Sequence, residues 1–118
     1  MIGNSKIGLL RDEDTAQICC ATNRIVIASQ YRGADGKTGI DQFGGADLND
    51  VIKLIDLCEY TFDFVDMNDL CIVGVSRGGM MSYMTARQDE RVKGIIAISA
   101  VSDLFQAYDD RDDMKTIL

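Results

Sequence analysis

Ser76 stands in the run Cys71-Ile72-Val73-Gly74-Val75-Ser76-Arg77-Gly78-Gly79-Met80-Met81, where an apolar stretch breaks into G-x-S-x-G and then resumes at helical spacing. A serine in that setting is a candidate nucleophile. With a strand before it and a helix after it, the turn is so tight that its flanking positions must be small, and the hydroxyl projects outward. The residue that follows, Arg77, then offers its backbone N–H to a developing oxyanion, assisted by the positive end of the helix dipole. The chemistry also needs a base. A serine hydroxyl is a poor nucleophile at neutral pH unless a neighbour takes its proton, and the 118 residues contain no histidine.

The elements around this motif read as alternating helices and strands. Residues 11–22 (RDEDTAQICCAT) open with acidic side chains and space Ala16, Cys19 and Cys20 as on one helical face. Residues 24–30 (RIVIASQ) are rich in β-branched types and read as a strand buried on both faces, the kind found in parallel sheets. The glycine-rich stretch YRGADGKTGIDQFGG reads as a long loop. Asp47 is placed to cap the next helix, whose apolar residues Leu48, Val51, Ile52, Ile55 and Cys58 repeat along one side through about Tyr60. A strand over residues 70–73, a helix over 79–87, a strand over 92–99 and a short helix capped by Ser102 or Asp103 follow. That alternation implies an α/β fold with at least three parallel strands and helices on both faces, in a single domain spanning residues 1–118.

Composition removes several classes of partner. A net charge of −7 opposes binding to nucleic acid or an anionic membrane, since both require basic side chains against phosphate. No stretch approaches the roughly 18 apolar residues of a membrane span, and the first residues lack the apolar core of a signal peptide. The four cysteines show no paired spacing suited to zinc and read as reduced, buried thiols of a cytoplasmic protein. No cofactor is implied.

Rival motifs are weaker. Gly36-Lys37-Thr38 resembles the end of a phosphate-binding loop, but the first glycine of that loop falls on Tyr31, and Gly39 with Gly44-Gly45 opposes a helix directly after Thr38. DGKTGID puts Lys37 or Gly33 where a calcium loop needs acidic ligands. The 109–113 run DDRDD reads as a solvated face, and Met80, Met81 and Met84 as core. No metal site is expected.

Several segments together resemble the α/β-hydrolase fold and, within it, the prolyl oligopeptidase-like serine hydrolases: IVIASQYRG, FGGADLNDVIKLIDL, FVDMNDLCIVGVSRGGMMSYM and AVSDLF. The resemblance implies a partial α/β-hydrolase fold, a parallel β-sheet flanked by helices that forms the central part of a catalytic domain. It also implies hydrolysis of a peptide or ester, with Ser76 as nucleophile, Arg77 in the oxyanion hole and Gly3-Asn4 at the tail of the segment giving the second donor. Tyr31 and Arg32 would belong to a substrate loop at the carboxyl edge of the sheet. Asp103 lies where a minority of such enzymes place their acid, with a helix cap as the alternative. In that family the usual acid and histidine, and a strand between residues 24–30 and 70–73, belong to segments outside these 118 residues. The expectation is therefore a fragment, weak or inactive alone, whose exposed sheet edges call for self-association or a complementing chain. The alternative is a hydrolase-derived interaction module without catalysis.

Overall fold

Strand and helix alternate where the hydrophobic period switches between two and 3.6. The computed structural model describes residues 12–28, 30–32, 39–40, 42–112 and 115. Its elements run α1 (Asp12–Thr22), α2 (Leu48–Thr61), a 3-10 turn (Met67–Asp69), β1 (Leu70–Val75), α3 (Arg77–Gln88), β2 (Val92–Ile98) and α4 (Leu104–Asp110). The two strands pair in parallel, with Val73 opposite Ile96 and Val75 opposite Ile98, and α3 crosses between them as a β-α-β unit.

Packing gathers α2, α3 and the start of α4 on one side of this sheet. Helix α3 lies on β1 and β2, and α2 lies on α3. Leu48, Met80 and Met81 form the buried cluster, with Val51, Ile52, Met84, Val101 and Leu104 packed around it, so the methionines are core as their spacing indicates. Strand alternation sends Val73, Ile96 and Ile98 to the opposite face. There they are 40%, 56% and 49% exposed, so that face is apolar yet open.

Three expectations change. Residues 25–28 form no regular element and join no ladder, and the described sheet has two strands rather than three. β-branched composition favours a strand only where a neighbouring backbone accepts its hydrogen bonds. Here the segment is held at one end by a side chain: Arg24 binds the Asp69 carboxylate at 2.7 Å and its carbonyl at 3.3 Å. A cleft lined by residues of both segments, Ile25, Leu70 and Cys71 among them, adjoins that contact. Of the helices expected on both faces, α2, α3 and α4 lie on one, and among the described residues the other face is partly open. Of the four cysteines only Cys58 is buried, where desolvation pushes its thiol pKa up; Cys19, Cys20 and Cys71 are exposed, and all four are free thiols. Their apolar neighbours suggested burial, but the exposed sides of α1 and β1 carry them.

Among the described residues, no helix is long and apolar enough to cross a membrane.

Candidate active site

The strand-to-helix junction forces Ser76 into an unusual backbone. Its φ of 54° and ψ of −117° match the first central position of a type II′ turn, a conformation that glycine favours. Hydrogen bonds hold it there. The Ser76 N–H donates to the carbonyl of Ile98 at 2.8 Å, extending the parallel ladder past the end of β1, and the Ser76 carbonyl accepts from Gly79 N at 3.0 Å and Met80 N at 3.3 Å. Both ends of the peptide are thus committed to the fold, while the residue itself is exposed and its side chain makes no capping bond to α3.

The flanking glycines explain how so sharp a turn packs. A Cβ on Gly74 would stand 2.1 Å from the Gly78 carbonyl oxygen, and one on Gly79 would stand 2.5 Å from Ala100 Cβ. Any side chain at either position would lift α3 off the strands. The small residues of the motif therefore set the close approach that points the first turn of α3 at the carboxyl end of the sheet.

Arg77, the first residue of α3, turns its side chain inward. The residue is 7% exposed, and its guanidinium carbon lies 4.7 Å from the Tyr31 ring centroid and 4.8 Å from that of Phe43. Its Nη2 pairs with Asp47, which is 0% exposed and also accepts from the Gly44 N–H at 3.1 and 3.2 Å. This corrects the expected helix cap. Asp47 precedes α2 but makes no side-chain capping bond, because a buried guanidinium needs a charged partner more than a first-turn amide does. Glycine at position 44, with φ 101° and Met84 Sδ 3.0 Å from where a Cβ would sit, brings the loop close to both.

Tyr31 and Arg32 are accordingly brought against this cluster. Arg32 grips Asp50 with two bonds, Nε to Oδ2 at 2.8 Å and Nη2 to Oδ1 at 2.5 Å, and its guanidinium holds the Asp50 carboxyl below the usual carboxylate range. Asp103 sits apart from these contacts as the cap of α4, its Oδ1 accepting from Phe105 N at 2.9 Å and Gln106 N at 3.0 Å. Gly3 and Asn4 lie outside the described residues, as do residues 33–38 with the Gly36-Lys37-Thr38 motif. Among the described residues no group of three or more Cys, Asp or Glu side chains is arranged to hold a metal ion. Phe43, Asp47 and Asp50 carried no chemical signal in the sequence. Their partners lie 18 to 34 residues away, and only the fold shows the pairing.

Comparison with known proteins decides the family. Residues 12–116 match the prolyl oligopeptidase family. The chain belongs to that family. It is 27% identical over 117 residues to "Uncharacterized peptidase YtmA" of Bacillus subtilis (strain 168), an alignment covering 98% of this chain and 45% of that protein. It is 31% identical to "Dipeptidyl peptidase family member 2" of Caenorhabditis elegans, covering 92% of this chain and 16% of that protein. The chain thus spans less than half the length of these curated relatives. No solved structure matches it. The two-stranded parallel sheet with its crossover helix is consistent with part of an α/β-hydrolase fold, and the family match runs through the Ser76 turn and through α4.

Proposed function

We propose that the chain carries the nucleophile portion of a serine hydrolase acting on peptide or ester bonds. The observation that carries this reading is the Ser76 backbone, held in a glycine-like conformation between strand and helix with its side chain exposed. Such strain, at about 1–3 kcal/mol, persists where surrounding structure enforces it, and it clusters at working sites. In the proposed reaction the Ser76 oxygen attacks the substrate carbonyl carbon while its proton passes to a base. The Arg77 N–H stabilises the oxyanion, the tetrahedral species expels the amine or alcohol, and water then cleaves the acyl-serine. Gly3-Asn4 would complete the oxyanion hole and Tyr31-Arg32 would border the substrate. The hydrogen bonds of Asp103 are those of a cap, and the reading gives it that duty.

The 118 residues hold no histidine, so the reading assigns the base to another polypeptide segment and expects weak or no turnover from this chain alone. Imidazole can stand in for that base. A fluorophosphonate probe should label the folded protein slowly, faster as imidazole is added, and not at all in Ser76→Ala. Failure of Ser76 to label at any imidazole concentration would overturn the hydrolase reading and leave the non-catalytic module.

The open apolar face of the sheet favours that second reading. There, a second copy or a complementing chain covers the face and the strand edges. The free thiols fit a reducing, cytoplasmic setting for either.

A further inference from the structure

We infer that the Arg77 side chain, as distinct from its backbone N–H, is a positioning residue that locks the Tyr31-Arg32 segment and the 43–47 loop to the Ser76 turn. A buried ion pair is by itself weak evidence for stability, because an apolar side chain of similar volume fills the same space without the cost of desolvation. What a guanidinium adds is geometry. It is a rigid plane with two faces and an edge that bonds in fixed directions. Here its carbon lies over both the Tyr31 and Phe43 rings, within 5 Å of each centroid, and Nη2 meets Asp47. Four parts of the chain therefore meet at one side chain. These are the segment before the long loop, the turn at Phe43, the residue that precedes α2, and the first residue of α3.

The next residue of the segment is pinned in its turn. Arg32 is fixed to Asp50, three positions beyond Asp47, so one end of α2 holds the guanidinium adjoining the nucleophile and the guanidinium adjoining the substrate loop. Because Arg77 immediately follows Ser76, a guanidinium held at its far end restrains the Arg77 Cα, to which the peptide from Ser76 is joined. The catalytic meaning of this clamp rests on the hydrolase reading above; its structural half does not.

Amide hydrogen exchange on the 118-residue protein tests it. The Ser76 N–H is bonded to the Ile98 carbonyl, the Gly79 and Met80 N–H to the Ser76 carbonyl, and the Gly44 N–H to Asp47, so all four report whether the clamp is closed. Arg77→Lys keeps the charge and loses the stacked plane. It should speed exchange at these four amides together by roughly tenfold, leaving the later turns of α2 and α3 near their original rates. Tyr31→Leu, which acts from the far end of the cluster, should do the same at Ser76 and Gly79, whereas Tyr31→Phe, which keeps the ring, should not. Unchanged exchange at Ser76 and Gly79 in Tyr31→Leu would overturn the proposal, as would a uniform rise across the whole molecule. If Arg77→Lys fails to fold, the two Tyr31 variants decide alone. The imidazole-supported labelling rate of Ser76 supplies the second readout: about a tenfold drop in Arg77→Lys at a temperature where it is folded. Exchange is read without Ser76 chemistry, so the clamp and the hydrolase assignment can fail separately.

Discussion

Ser76 occupies a backbone conformation that its own side chain disfavours, and the fold sustains it through Ile98 on one side and the first turn of α3 on the other. Glycine would adopt φ 54°, ψ −117° without strain. Ser76→Gly is therefore expected to raise thermal stability, by about 1 kcal/mol, while abolishing probe labelling. A melting experiment on both proteins checks it, and an unchanged or lower melting temperature would mean the turn is not strained. Gly74→Ala should act oppositely, since its Cβ meets backbone rather than a yielding side-chain tip. This much was legible in the sequence, because close approach of strand and helix demands small residues and leaves a pattern of glycines. The inward turn of Arg77 was not legible. A residue after a candidate nucleophile is read for its N–H, and nothing local shows that Tyr31, Phe43 and Asp47 will surround its side chain.

Helix α2 shows the same division at the scale of an element. Its apolar stripe was readable from period alone, and Leu48, Ile55 and Cys58 are indeed its buried residues. Its acidic residues, whose partners the period does not show, hold two arginines: Asp50 takes Arg32, while Asp56 and Glu59 take Arg91, which also grips Asp89. Bonds from Arg32 lower the pKa of Asp50, and bonds from Arg91 lower that of Asp89. A carboxylate whose folded pKa is depressed contributes stability that is present above its unfolded value, about 3.9 for Asp, and lost as pH falls through the folded value. The melting temperature should therefore be nearly flat above about pH 5 and fall progressively below about pH 4. Asp50→Asn should lower the plateau by about 1 kcal/mol and make the acid fall shallower, since one of the two titrating partners is gone. An acid fall as steep as in the parent protein would show that Asp50 is not a source of it. Residues 24–30 show the opposite limit. Their composition favoured a strand, but a strand is a property of two backbones, and a single segment does not reveal whether the second is there.

For the whole molecule, the consequence is a sheet that, among the described residues, α3 covers on one side while Val73, Ile96 and Ile98 stand exposed on the other. Two strands are marginal unless a helix packs on them, and here α3 supplies that packing through the Gly74, Gly79 and Ala97 contacts. Buried and open faces should then respond differently to mutation. Met81 is 1% exposed, and Met81→Ala should cost about 2–5 kcal/mol by emptying the cluster it fills. Ile96→Thr keeps a β-branched side chain in β2 on the open face, and in dilute protein it should change stability by no more than about 0.5 kcal/mol. Sedimentation velocity with melting curves at several concentrations checks both. If copies meet through the open face, the parent will sediment as a larger species and melt higher as concentration rises, and Ile96→Thr will remove both effects while leaving the dilute melting temperature in place. If Ile96→Thr instead destabilises dilute monomer as severely as Met81→Ala, the side chain must be buried within the chain itself, and the one-sided packing described here would be wrong.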